Sequence, residues 1–118
     1  KIIAENTETI SQLFPRQYIQ YDLWYKSKIE NEKIIVDCTS TEPEKWNKNV
    51  LKGEYEKNYG RLISDEFNFK FRLESCYIYT ADGVLESGKA YIQEQASKGL
   101  FYISEYTFTR IEEQNINV

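Results

Sequence analysis

Phe67, Phe69, Phe71, Leu73, Tyr77 and Tyr79 stand on one parity of the segment 67–79, while Asn68, Lys70, Arg72 and Glu74 stand on the other. Alternate side chains of an extended chain point to opposite sides, so these rings gather on one surface only if the segment is a β-strand. A helix would scatter them around its circumference. After Leu73 the contrast fades, because Cys76 and Ile78 make the second side apolar as well. Long strands that change their buried side in this way bend, as in cone-shaped sheets and barrels.

The same period recurs elsewhere. From Arg16 onward, Ile19, Tyr21, Leu23 and Tyr25 share one face, with Tyr18, Gln20, Asp22 and Trp24 on the other. Glu30-Asn31-Glu32 is a polar turn, and Lys33 to Thr39 returns with Ile34, Val36 and Cys38 on one side, which predicts a hairpin. Ala81-Asp82-Gly83-Val84 predicts a second hairpin turn, of the primed geometry that Asp-Gly favours. The strand Leu85 to Ala96 follows, with Gly88 and Ala90 marking a bend or a close neighbour. Lys98-Gly99 turns the chain again. In the last strand Leu100, Tyr102, Tyr106 and Phe108 alternate with Phe101, Ile103, Thr107 and Ile111; apolar on both sides, it reads as central or doubly covered. The tail after Glu112 reads as frayed.

Two helices are predicted. Ile3, Ile10, Leu13 and Phe14 form a broken helical stripe within 2–14, with Thr7 as N-cap and Pro15 as its stop. Thr41-Glu42-Pro43-Glu44 has the form of a capping box, Trp46 and Val50 lie four apart, and Gly53 offers a left-handed end, so a second helix is expected near 42–52. Residues 53–66 read as a loop with one short strand at Arg61–Ser64. The expected fold is α+β, a single domain over 1–118: a curved antiparallel sheet, made of a hairpin and a three-strand meander and covered by two helices. Its shape is cone-like or a partly closed barrel.

Composition bears mainly on function. A chain of 118 residues, 41% apolar and 29% charged, supports one domain with a real core. No apolar stretch is long enough for a transmembrane segment, and no signal peptide is visible. The net charge of −4, with basic residues scattered, argues against nucleic acid and anionic membranes as partners. The chain starts at Lys1 and contains no methionine, which suggests a processed or excised chain and slightly favours an extracytoplasmic location.

There is no histidine, so the commonest general base and metal ligand is missing. No SxxK, GxSxG or phosphate-loop frame stands in its place. Cys38 and Cys76 lack the CxxC spacing of a metal site, and no cofactor is implied; a disulfide between them and a pair of buried thiols are equally open. Asp22 and Asp37, inside strands, are the remaining acid/base candidates.

The tyrosines are the strongest functional lead, since a flat apolar ring with a hydroxyl suits pockets and interfaces. Ten are present, and Tyr21, Tyr25, Tyr77, Tyr79, Tyr102 and Tyr106 are the expected ligand-binding residues. The favoured reading is a noncatalytic binding module, taking a small apolar or aromatic ligand or a protein partner on a tyrosine-rich concave sheet, with Trp24 or Trp46 reporting the ligand. A second reading is a small enzyme with Asp22 or Asp37 as base and Tyr25 or Tyr102 as donor to an oxyanion. A third is an extracytoplasmic pilin-like subunit, with Lys1 to Phe14 the stump of a longer helix and Cys38 bridged to Cys76.

Overall fold

The computed structural model describes residues 2–59 and 67–111. Among the described residues there are six strands: β1 (Ile2–Ile10), β2 (Tyr18–Glu30), β3 (Lys33–Ser40), β4 (Lys70–Thr80), β5 (Leu85–Ser97) and β6 (Leu100–Thr109). One helix among the described residues, α1 (Lys45–Tyr59), interrupts them between β3 and β4. All six strands form one antiparallel sheet whose spatial order is the chain order.

Directly opposed residues share a face, so the register sorts every side chain to one of two surfaces. One row runs Tyr25, Cys38, Ser75, Ala90, Tyr106 across β2 to β6, and the next runs Ser27, Val36, Tyr77, Gly88, Phe108. These belong to the face that carries α1. At one end of it, Phe14, Ile19, Tyr21, Leu51, Tyr55, Phe69, Phe71 and Ala96 form the buried core. Much of that core is aromatic: Tyr55 meets Phe14 edge-on at 6.5 Å and Phe67 at 5.1 Å, and Tyr21 leans on Phe71 at 4.8 Å.

The turn after β1 crosses this face to reach β5, although the two strands stand far apart in the sheet. Glu94, 1% exposed, accepts hydrogen bonds from the Ser11 hydroxyl and the Gln12 amide, each at 2.6 Å. Such a contact requires the sheet to curl, so the helix-bearing face is the inside of a half-barrel. Ser11 Oγ also accepts from the Phe14 amide at 2.9 Å, which fixes the turn that buries Phe14.

The segment 2–14 corrects the predicted N-terminal helix. Ile3, Thr7, Thr9 and Ile10 are β-branched and stiff, and residues 2–10 pair with β2 from Ile2 opposite Tyr25 to Ile10 opposite Tyr18. Thr7 lies in that ladder opposite Tyr21 and not at a helix start, and Pro15 falls in the turn beyond it.

Helix α1 starts later and ends later than 42–52. Thr41 continues the pairing with β2: its amide donates to the Asp22 carbonyl at 2.9 Å, and its hydroxyl accepts from the Asp22 amide at 3.0 Å. The Glu44 carbonyl instead opens the helix, accepting from the Asn47 and Lys48 amides. Gly53 is passed without a break. The helix buries Asn47, Leu51 and Tyr55, while Trp46 and Val50 are exposed at 50% and 43%. Two bonds from one side chain explain the choice: Asn47 Oδ1 accepts from the Gln20 amide at 2.8 Å, and its Nδ2 donates to the Tyr18 carbonyl at 3.0 Å. Where β3 has stopped, Asn47 supplies the partners that its next residues would have given β2. The expected strand at Arg61–Ser64 and the tail after Glu112 lie outside the described residues.

The two hairpin turns exchange roles. Asn31 (φ 51°) and Glu32 (φ 63°) adopt the primed two-residue turn. Beyond β4, Gly83 alone is left-handed (φ 89°), its amide donating to the Thr80 carbonyl while the Thr80 amide donates to that of Val84, which makes a three-residue loop. Gly88 is the close approach that its size suggests. A Cβ there would stand 2.6 Å from Phe108 Cζ and 2.8 Å from Tyr77 Cδ1.

β6 corrects the expectation of a central strand. Among the described residues it is the last strand of the sheet, with Phe101, Ile103, Tyr106 and Phe108 exposed. Among the described residues nothing buries these apolar side chains.

Candidate functional site

α1 shields one end of the inner face and leaves the other end open. In that open part Tyr25, Ile34, Val36, Tyr77 and Tyr79 are half-buried, and Phe108 and Tyr106 on β6 are exposed. Tyr77 and Phe108 meet over Gly88 at 5.7 Å. A glycine between two ring-bearing strands lets the two rings come together over the sheet, inclined at 36° to each other.

The register places all six tyrosines singled out from the sequence on this inner face. Tyr25 and Tyr106 end one row, with the small residues Cys38, Ser75 and Ala90 between them. Tyr77 and Tyr79 follow on β4. Tyr21 differs in role: it is 7% exposed and packed on Phe71 within the core, where burial pushes its phenol up and neighbouring Tyr25 adds to the rise. Tyr102 lies opposite Glu94. The neighbouring Ser104 and Tyr102 hydroxyls hold the Tyr106 phenol below its usual range.

The acid/base constellation is not assembled. Asp37 pairs with Lys26 and Cys76, and Asp22 alternates with Tyr21 and Leu23, so both aspartates lie on the outer face while Tyr25 and Tyr102 lie on the inner one. Nor do the cysteines meet. Cys38 opposes Ser75 on the inner face and Cys76 opposes Asp37 on the outer, and both thiols are free. With 2–10 forming a strand, the helix stump and the bridge of the pilin-like reading are both missing from the geometry.

The outer face carries a feature that the sequence did not reveal. An open depression of about 540 Å³ spans β3 to β6. Its lining takes the outer row Asp37, Cys76, Lys89, Thr107 and the next outer row Thr39, Glu74, Tyr91, Glu105, together with the intervening row Cys38, Ser75, Ala90, Tyr106, whose side chains belong to the inner face. A twisted, curled sheet is waisted on its outside, which accounts for a hollow there. Arg72 stacks on the Tyr91 ring at 4.8 Å and pairs with Glu74 at 3.4 Å, closing one rim. Burial raises the Cys76 thiol, and the hydrogen bond and charge of Asp37 raise it further, so this thiol is held protonated and is a weak nucleophile.

Among the described residues no cluster of three or more Cys, Asp or Glu side chains is placed to hold a metal ion. No described helix is long and apolar enough to cross a membrane. Trp24 lies on the outer face and Trp46 on the exposed side of α1, its indole N–H donating to Glu44, so neither indole lines the inner face. Glu94 was missed because nothing in its local sequence separates a latch from a solvated strand residue.

Together these features define a class: a curled, six-stranded antiparallel half-barrel with one helix across the end of its inner face. Compared with protein-family models, curated proteins and solved structures, the chain matches none.

Proposed function

We propose that this chain is a noncatalytic binding module whose open inner face takes a small apolar or aromatic ligand, or apolar side chains of a protein partner. One observation carries the reading: the tyrosines share a face, and α1 covers only one end of it. Contiguous exposed apolar surface of this kind commonly marks an interaction site. Ile34, Val36, Tyr77 and Tyr79 supply apolar area, while the phenol hydroxyls offer donors and acceptors that orient a ligand. The separation of Asp22 and Asp37 from Tyr25 and Tyr102 weighs against the enzymatic alternative.

The test uses 1-anilinonaphthalene-8-sulfonate as an apolar aromatic probe. Saturable fluorescence enhancement by the native chain, abolished by Val36→Asp with near-ultraviolet circular dichroism unchanged, is the expected result. Undiminished enhancement in V36D, or none in the native chain, would defeat the reading.

A further inference from the structure

Among the described residues, no strand pairs with the outer side of β6. The phase of its free main-chain groups follows from one hydrogen bond. The Arg110 amide donates to the Glu86 carbonyl at 2.8 Å, continuing the register that opposes Ser87 to Thr109 and Gly88 to Phe108. Successive residues of an antiparallel strand direct their N–H and C=O groups to alternate sides. Tyr102, Ser104, Tyr106 and Phe108 therefore bond to β5, while Phe101, Ile103, Glu105 and Thr107 present donors and acceptors to the open side.

Exposed edges are normally blunted by charges, proline or bulges. β6 has no proline, Glu105 is its one charge, and the irregularity between Gln95 and Ser97 lies at its very start. Both surfaces of the edge are apolar: Phe101 and Ile103 are 54% and 47% exposed outside, Tyr106 and Phe108 50% and 37% inside.

We infer that β6 pairs with β6 of a second copy of this chain, antiparallel across a twofold axis at Ser104. A twofold pairing bonds only where residues with outward groups face each other, which restricts the axis to a residue position. An axis at Glu105 would oppose two carboxylates, a destabilising arrangement. Moving the axis to Ser104 sets Glu105 against Ile103 of the second copy, Phe101 against Thr107, and Tyr102 against Tyr106. That register joins the two inner faces into one sheet and matches tyrosine with tyrosine at its seam. It is independent of the ligand reading, since it rests on main-chain phase and on the pattern of one strand.

The test combines mass with geometry. Sedimentation of the native chain at about 1 mM, the weak end of specific association, should give the mass of a dimer. Glu105→Pro removes an amide that makes no bond to β5, so it should keep the fold by circular dichroism and sediment as a monomer. Facing residues across the axis form a non-hydrogen-bonded pair with Cα atoms about 4.5 Å apart, within disulfide reach. Ser104→Cys should thus cross-link through oxidation at least about tenfold faster than Thr107→Cys, which faces Phe101 of the second copy. A native chain that stays monomeric at that concentration overturns the proposal. So does a dimer in which S104C cross-links no faster than T107C, the outcome expected if the edge takes a different strand or a different register.

Discussion

Replacing Glu94 by Gln tests whether the curl of the sheet depends on one carboxylate. The side chain is 1% exposed and receives two bonds of 2.6 Å, from Ser11 Oγ and the Gln12 amide, with the Leu13 amide more distant at 3.5 Å. A glutamine keeps its oxygen for the Gln12 amide and turns its NH2 toward Ser11 Oγ and the Leu13 amide, so the Ser11 hydroxyl loses its charged acceptor and the Leu13 amide is left facing a donor. Hydrogen bonds to charged groups contribute about 1.5–3 kcal/mol, and an unsatisfied buried donor costs about 1–3 kcal/mol. The expected loss is about 2.5 kcal/mol. At about 2.1 cal/mol/K of unfolding entropy per residue, a chain of this length should melt about 10 K lower.

The assay is urea denaturation of E94Q beside the native chain, with hydrogen exchange read at the Gln12 amide. The midpoint should fall with an unchanged m-value, and protection at Gln12 should drop more than protection in the β3–β4 ladder. Glu94→Ala should cost about 3–5 kcal/mol, since both short bonds go and a void remains. An E94Q chain within about 0.5 kcal/mol of native, the scale of an ordinary surface substitution, would refute the latch. So would a loss spread evenly over all amides, which would make Glu94 one core residue among many.

Three further outcomes follow from the geometry. Leu51→Ala should cost about 2–5 kcal/mol in denaturant, whereas Trp46→Ala on the exposed side of α1 should stay within about 0.5 kcal/mol; equal costs would mean that the helix is turned differently. Gly88→Ala should destabilise by about 1–3 kcal/mol through overlap with Phe108 and Tyr77, and Phe108→Leu in the same chain should recover part of that loss, measured as a coupling in a double-mutant cycle. Alkylation by iodoacetamide should find Cys76 slow at pH 8, with Asp37→Asn giving a partial increase because burial remains. Since the folded thiol binds its proton more tightly than the unfolded one, its contribution to stability is complete below the unfolded pKa, about 8.5, and is lost as pH rises through the folded value. A D37N chain that reacts no faster would remove Asp37 as a cause.

Much of the architecture was legible because the period-two signal is local. The rows Ile19, Tyr21, Leu23, Tyr25 and Phe67 to Tyr79 needed no knowledge of their neighbours to be assigned a face, and both lie as the alternation predicted. The side of the sheet on which each of these tyrosines falls was legible for the same reason. What local pattern left undecided depends on partners. Residues 2–10 hold a helical stripe and β-branched stiffness together, and β2, by offering a ladder, settles the contest. The capping box at Thr41–Glu44 is overridden because β2 and β4 outrun β3 at Ser40, so Thr41 and Asn47 bond to β2 while Ser40 Oγ accepts from the Leu73 amide at 2.8 Å. The face of α1 follows from that gap and not from its own apolar residues.

β6 was misjudged on different grounds, and the misjudgement is informative. Apolar residues on both parities state that a strand is suited to cover on both sides, without saying whose atoms provide it. Among the described residues the sheet ends there, leaving Phe101 and Ile103 outside and Tyr106 and Phe108 inside, all exposed. β5 shows what the pattern looks like when the neighbour is present. Its Gly88 is shaped to Phe108 on one side and Tyr77 on the other, each within 3 Å of where a Cβ would stand. A strand that has been fitted so closely on its inner margin, while its outer margin keeps donors, acceptors and rings unused, has the composition of an interior strand and the position of an edge. Pairing through Ser104 reconciles the two, because it makes β6 interior to a larger sheet without altering a single contact inside the chain.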